Sequence, residues 1–410
     1  MTAQMRNFWM ILNAAIHKDA ALEPEKLKAP VDWAYMSLQA RKQNLLPVFT
    51  DIAQQYEDYC LYPGFAADVQ DTMAIVAGQM QRSEEFLDLY KAFLDAGLRP
   101  VVFKGIVLRQ LYGDYKDYRV SGDEDILVRP EEYRSVREVL ERKGYQCTRP
   151  KLTGRQIARM HEVTFCNAEI QLSIEVHLNL FTEEDSVRAY MNRAVRPFED
   201  TEILEIDGVP VRVMNPTQSY LYLVFHGFNH FLSKGMGIRP MMDILKYAQA
   251  YRQRIRFSEM EEPLKTVRAD AFLRDIQWIG TQLLGFPAEE SAQDCGSRDL
   301  VDDLMETGIF GGSSRTDCFA ANISLPASAV GTTDRKVRGL LIGAFPGRSR
   351  LMERYPCLEE KPWLLPVVWA RRFVKFGRYA GKNTVEVIRE ILNKTEKRAE
   401  ILKKYRAEKK

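Results

Sequence analysis

The chain of 410 residues has six cysteines, Cys60, Cys147, Cys166, Cys295, Cys318 and Cys357, and no two of them form Cys-x-x-Cys. That scatter excludes a zinc-binding frame or a disulfide scaffold and reads as reduced thiols in a cytoplasmic protein. No apolar run reaches the ~20 residues that cross a bilayer. The longest, Trp363 to Ala370, is interrupted by Pro366. Met1 to Trp9 lacks a cationic stretch followed by an apolar core, so no secretion signal is expected. Gly311-Gly312 is not set in Walker spacing, which excludes a P-loop there. A strong overall charge is also missing, at +2.

What is present fits a folded protein with a sizeable core. Hydrophobic residues make up 46% and aromatics 10%, and the length allows two or three domains. The charge is uneven. Residues 371–410 hold 14 Lys and Arg against 5 Glu, a balance of +9, which leaves −7 for the rest. A basic helix is therefore expected near the end, beginning at Asn383 or Thr384. Its charge could attract nucleic acid or an anionic membrane surface, although no aromatic stacking pattern accompanies it. Packing on the body is the plainer expectation for its narrow apolar stripe.

One stretch organises the chain: VVFKGIVLRQLYGDYKDYRVSGDEDILV, from Val101 to Val128. Val101-Val102-Phe103 has the β-branched and aromatic character of a buried strand. Lys104-Gly105 ends it, a short helix follows, and a polar loop leads into a second strand at Asp123-Glu124-Asp125-Ile126-Leu127-Val128. Residues i and i+2 of a strand share a face, so Asp123 and Asp125 project together, about 7 Å apart by strand rise. Such pairs are common at strand starts and usually face solvent. Here Gly105 sits at a strand-to-helix turn, where backbone N–H groups can meet phosphate, and Gly122 permits close backbone approach beside the pair. Carboxylates so placed can hold a pair of divalent ions roughly 3.5–4 Å apart. Mg²⁺ suits them, with Mn²⁺ as the alternative, since it favours a few carboxylates plus water and substrate phosphates.

A third carboxylate lies downstream. Ile170, Leu172, Ile174, Val176, Leu178 and Leu180 alternate with Gln171, Ser173, Glu175, His177 and Asn179. This pattern predicts a strand with one buried and one open face. Glu175 stands at the middle of the open face, with His177 next on it.

These residues resemble the nucleotidyltransferase superfamily that includes DNA polymerase β. Its signature is a glycine turn, Asp-x-Asp on a strand, and a third carboxylate on a later strand. More narrowly, the chain is similar to a poorly characterised, largely bacterial nucleotidyltransferase family. That family carries Lys-Gly after the first strand, Arg before Asp-x-Asp, and acid-x-His on a later strand. The matching residues are Lys104-Gly105, Arg119, Asp123-Glu124-Asp125-Ile126 and Glu175-Val176-His177, and a weaker likeness runs from about residue 40 to 375. Two positions depart from the pattern. Ile106 follows the glycine where a second Gly or a Ser is usual, and Glu124 stands where an apolar residue is usual.

The resemblance implies an α+β fold: a small mixed β-sheet nucleotidyltransferase core with helices, embedded in mostly helical N- and C-terminal regions. Apolar spacing divides the chain into a helical region 1–96, the core with its hairpin 97–215, a helical region 216–342 with a loop near 311–333, and a C-terminal segment 343–410. Asp207-Gly208 marks a hairpin turn, and Asn215-Pro216 caps an aromatic-rich helix. That helix carries His226 and His230 at i, i+4, a spacing that can hold a metal. Phenylalanines surround the pair and no third ligand stands near in sequence, so packing or substrate contact is the plainer expectation. Arg239 and Asp243 match a basic-then-acidic segment of the resembling family and have the spacing of an i, i+4 ion pair.

The expected activity is transfer of a nucleoside monophosphate from an NTP such as ATP to an unknown hydroxyl or phosphate acceptor. Asp123, Asp125 and Glu175 would hold metal, with Glu175 on the acceptor side. Lys104, Gly105, Arg119, Gly122 and His177 would line the nucleotide; Lys104 and Arg119 could equally be ion-pairing residues. The alternative is a non-catalytic module of the same fold that binds a nucleotide or a partner.

Overall fold

The computed structural model describes residues 1–17, 27–28, 30–149, 157, 160–182, 185–233, 235–287, 298–307, 345–352, 355, 357–380, 389, 393, 395 and 398–405. The loop expected near 311–333 and most of the helix expected from Asn383 lie outside the described residues.

Alternating and β-branched segments build one mixed sheet. Its strands are β1 (Val101–Val102), β2 (Asp123–Leu127), β3 (Gln146–Cys147), β4 (Glu162–Asn167), β5 (Leu172–His177), β6 (Glu202–Ile206) and β7 (Val209–Val213), in the order β3-β4-β5-β2-β1-β7-β6. β2 pairs in parallel with β5 on one side and antiparallel with β1 on the other. β4 and β5 form a hairpin, and β6 and β7 form the expected one at Asp207-Gly208, both at positive φ as a tight two-residue hairpin requires. β7 joins the sheet by pairing in parallel with β1. The strand expected over 170–180 stops at His177, and its open face closes there: His177 is only 3% exposed, its ring edge-on to Phe103 at 5.0 Å.

Helices surround the sheet, making the chain an α+β protein with helical flanks. α1 (Ala3–Ile16), α2 (Trp33–Lys42), α3 (Leu46–Ala53), α4 (Glu57–Cys60) and α5 (Phe65–Asp95) precede it. α6 (Gly105–Arg109), α7 (Tyr133–Arg142) and α8 (Ser186–Ala194) are interleaved with it, and α9 (Pro216–Ser233), α10 (Ile238–Tyr251), α11 (Phe257–Val267), α12 (Ala269–Leu284) and α13 (Arg298–Thr307) follow. The polar loop expected after α6 is a 3-10 stretch, Gln110–Tyr118, bent at Gly113.

Among the described residues, the two largest apolar cores involve these elements. One unites Phe8, Trp9, Phe49 and Tyr59 of the first helices with Tyr220, Phe225, Phe272 and Ile276 of the later ones. The other lies on the sheet, where Phe86, Tyr90 and Phe93 of α5 and Val139 and Leu140 of α7 cover Ile126, Ile174 and Val176. A fully buried side chain of this size contributes about 1.5–3 kcal/mol. The fully buried apolar residues of α5 lie in its last turns, while Phe65 and Ile75 are partly buried and Met73 and Met80 are exposed. Near the end of the chain, Ala399, Leu402 and Tyr405 are buried, Arg398 pairs with Asp303, and Lys404 meets Asp275 at 2.7 Å. The described part of the basic tail thus packs on the body, and two of its charges are neutralised internally.

The departure at Glu124 has a structural cause. Its buried carboxylate accepts the Ile106 N–H at 2.7 Å and pairs with Arg109 at 2.7 Å, both side chains 1% exposed. Gly105 opens α6 at φ +44, and a Cβ there would lie 1.9 Å from Glu124 Oε2. Only glycine leaves room for this clamp between β2 and α6. Gly105→Ala should lower the unfolding free energy by about 2–4 kcal/mol through strain and a displaced buried ion pair. Gly122→Ala, where a Cβ meets nothing within 4 Å, should cost less than about 1 kcal/mol. Denaturant unfolding of both variants checks the contrast.

Candidate functional site

The parallel register of β2 and β5 sets Asp125 opposite Glu175 and Asp123 opposite Ser173. Period-two alternation then puts Asp123, Asp125, Ser173, Glu175 and His177 on one face. β4 adds to that face from the far side of β5, with Glu162 opposite His177 and Thr164 opposite Glu175.

The side chains converge on His177. Its Nε2 lies 2.9 Å from Asp125 Oδ1, 3.7 Å from Glu175 Oε2 and 3.7 Å from Glu162 Oε2. Lys104, at the end of β1, brings Nζ to 2.7 Å from the same Asp125 oxygen. His161 Nε2 meets Glu162 Oε2 at 3.0 Å. Above this cluster stands α9. The Tyr222 hydroxyl and His226 Nδ1 are 3.2 Å apart, and the His226 and His230 rings meet edge to face at 4.4 Å. Four of the five histidines of the chain thus gather in one cluster.

Mutual charge sets the protonation of the cluster. Burial pushes the Asp125 carboxyl up, but Lys104 and His177 outweigh it and hold it well below the usual carboxylate range. Glu162 is opposed by burial yet drawn down to about 2 by His161 and His177. Glu175 goes the other way, raised by burial and by the like charges of Asp125 and Glu162, although His177 partly relieves it. His177 itself would be lowered by burial, but its bonds to Asp125 and Glu175 raise it. His226 is driven well below its ordinary value by burial and by the Lys104 charge, and is therefore a neutral imidazole at pH 7.

A second polar layer lies toward α10. Arg119 makes a two-pronged contact with Asp243, Nε to Oδ1 at 2.8 Å and Nη2 to Oδ2 at 2.7 Å, and Tyr112 donates its hydroxyl to Asp243 Oδ1 at 2.8 Å. The i, i+4 pair expected between Arg239 and Asp243 is replaced by this contact, because the planar fork of Arg119 matches both carboxylate oxygens. Arg239 instead donates to the Val120 carbonyl, three residues before Asp123, and its buried Nε has no hydrogen-bond partner. Burial and the neighbouring Arg119 lower its guanidinium to about 10.

The expected site residues therefore divide into groups. Asp125, Glu175, His177 and Lys104 come together. Asp123 stands at the strand's start, outside that cluster, where burial and the like charge of Asp125 raise its carboxyl and Lys104 and Arg239 oppose them. Arg119 holds Asp243. Gly105 adjoins Glu124, which takes the Ile106 N–H expected to meet phosphate. Gly122 is exposed before the acidic strand. Three site residues were not anticipated: Glu162, His161 and Tyr222. The signal for Glu162 was present, since counting back from the Asn167 turn puts 162, 164 and 166 on the face of 173, 175 and 177. Nothing local marked Tyr222, which reaches the site only through the packing of α9.

Asp125, Glu175 and His177 each offer one ligand atom, all within 4.8 Å of one another. Two carboxylates and an imidazole suit a divalent ion, so the residues present fit a metal. Among the described residues no helix is long and apolar enough to cross a membrane.

Asp243→Asn would leave the Arg119 charge buried without its partner, and should cost about 3–5 kcal/mol at pH 7. Asp243 is held below its ordinary value by Arg119 against burial. Its contribution is therefore present above the unfolded pKa near 4 and fades as pH falls through the folded value. Urea unfolding of the two proteins should show a stability gap that narrows below about pH 4.

A family model described as an uncharacterised nucleotidyltransferase matches residues 29–285, more than half of the chain, from α2 through the whole sheet to α12. The match ends well before residue 375, to which the likeness was expected to extend. No curated protein and no solved structure matches the chain.

Proposed function

The chain belongs to this uncharacterised nucleotidyltransferase family, and we propose that it moves a nucleoside monophosphate from an NTP to a hydroxyl or phosphate acceptor, releasing pyrophosphate. The observation that carries the reading is the side-by-side placement of Asp125 and Glu175 on adjacent parallel strands, with Lys104 beside them. The acceptor oxygen would form the new bond to the α-phosphorus as the bond to the pyrophosphate oxygen breaks, and the acceptor proton would leave to solvent or to a basic side chain. A divalent ion, Mg²⁺ or Mn²⁺, held by Asp125 and Glu175 with Asp123 at the mouth, would polarise the phosphate and favour an ionised acceptor.

The remaining roles belong to the chain itself. Lys104 supplies a positive charge that is fixed at neutral pH, raised well above its ordinary value by Asp125 despite burial, and can balance phosphate charge. Arg239, with an unbonded Nε beside Asp123, is a second candidate for the phosphates. The neutral imidazole of His226 can accept a hydrogen bond from an acceptor hydroxyl on the α9 side. The acceptor's identity is left open by these groups, and a cytoplasmic setting fits the free thiols of Cys60, Cys147, Cys166 and Cys357.

A second reading has its own observation. The Ile106 N–H is bonded to Glu124, and Asp125 is already neutralised by Lys104 and His177. Groups satisfied internally suit a module that binds a nucleotide or a partner without turnover.

Pyrophosphate release from each NTP, with a broad acceptor set and Mg²⁺ or Mn²⁺, separates the two. Transfer predicts release that falls roughly 10³-fold or more in Asp125→Asn. Release that survives Asp123→Asn combined with Asp125→Asn rules transfer at this site out. Calorimetric binding of a non-hydrolysable NTP with no turnover for any acceptor favours the module.

A further inference from the structure

We propose that this centre selects a first-row transition ion, Mn²⁺ or Zn²⁺, over Mg²⁺, with His177 Nε2 as a nitrogen ligand beside one oxygen each from Asp125 and Glu175. This deepens the nucleotidyl-transfer reading by naming the ion, but it depends on donor chemistry and is tested without nucleotide.

The first support is geometric. Nε2 of His177 lies 2.9 Å from Asp125 Oδ1 and 3.7 Å from Glu175 Oε2. Two atoms bound to one ion at ~2.0–2.2 Å are separated by at most ~4.4 Å, so both spacings are within reach of a single ion. The second support is rigidity. Asp125 and His177 are 2% and 3% exposed, all three residues sit on hydrogen-bonded strands rather than loops, and Phe103 stacks edge-on against the imidazole. His177 Nδ1 is buried without a hydrogen-bond partner, so every polar contact of the ring runs through Nε2, toward the carboxylates.

The third support is donor type. Mg²⁺ takes oxygen ligands and keeps much of its water, whereas an imidazole nitrogen strengthens binding of transition ions. An oxygen-only site would have water or a carboxylate where His177 stands. The nearest other carboxylate, Glu162, lies 3.7 Å from the same Nε2 and is held by His161 at 3.0 Å. Asp123, the other acid of the Asp-x-Asp pair, is not in the cluster whose ligand atoms lie within 4.8 Å. Lys104 shares Asp125 Oδ1 with His177, so an entering ion would exchange one positive neighbour of that oxygen for another.

The test uses the full chain without nucleotide. Titration calorimetry with MgCl₂, MnCl₂ and ZnCl₂ should give Mn²⁺ or Zn²⁺ affinity at least about tenfold above that for Mg²⁺. His177→Gln should lower the transition-ion affinity about tenfold or more and leave Mg²⁺ within about threefold, whereas Asp123→Asn should leave the transition-ion affinity within about threefold. Pulsed paramagnetic resonance of Mn²⁺ bound to the unmodified protein should show coupling to a ¹⁴N nucleus, a readout that needs no variant to fold. Equal affinity for the three ions, an unchanged affinity in folded His177→Gln, or absence of the nitrogen coupling would overturn the proposal. A nitrogen-ligated ion in a protein that transfers no nucleotide would leave it standing and remove the transfer reading; Mg²⁺-supported transfer without nitrogen coupling would do the reverse.

Discussion

The parallel pairing of β2 with β5 is the constraint on which the site depends. With Asp125 directly opposite Glu175, two acids more than forty residues apart become neighbours about 5 Å apart across the sheet. Slipping that pairing by one residue would turn Glu175 into the core and bring Val176 to the site. The register is held by what lies on the other face. Ile126, Ile174 and Val176 are completely buried under α5 and α7, so a slip of β5 would turn two β-branched residues, Ile174 and Val176, out of the core.

Such a concentration of acid needs compensation, and the protein supplies it from several directions. Lys104 and His177 hold Asp125 ionised in a buried place, and His161 does the same for Glu162. Glu175, without a dedicated cation, is the carboxyl whose proton is held more tightly. Beneath and beside the cluster run two buried ion pairs: Arg109 with Glu124, and Arg119 with Asp243. They clamp α6 to β2, and the segment before β2 to α10. Positive charges that resemble phosphate binders in sequence are thus divided between scaffold and site. Arg119 belongs to the scaffold, while Lys104 and the partly unbonded Arg239 face the site.

The clustering of histidine gives the site a character that acidic residues alone would not. Imidazoles from β5 and from the residue before β4 meet the carboxylates, and those from two turns of α9 stand near Lys104 and those imidazoles. Their states differ with surroundings: His177 is raised by its acidic partners, and His226 is lowered by burial and by Lys104. One cluster therefore combines anionic oxygen, neutral nitrogen and fixed cations, a mixture suited to binding a metal and a polyanionic ligand together.

The sequence by itself determined the local elements and the identity of the central acids. Alternation over 170–180 and the Val-rich run at 101 set the strands; the glycine turn, Asp125, Glu175 and His177 could be named because period two fixes which residues share a face. It also determined that the chain is α+β with helical flanks. What it could not fix was partnership. Arg119, rather than Arg239, meets Asp243, because i, i+4 spacing says only that two groups can touch, not whether a distant guanidinium fits better. Glu124 looked misplaced until Arg109 and the space over Gly105 gave it a buried counter-charge. Asp123 shares a face with Asp125, but the strand's first residue lies outside the closed cluster, so alternation could not tell mouth from interior. Tyr222, Glu162, His161, His226 and His230 joined the site only when α9 and β4 packed against it: long-range pairing is decided by the shape and charge of surfaces that exist only after folding.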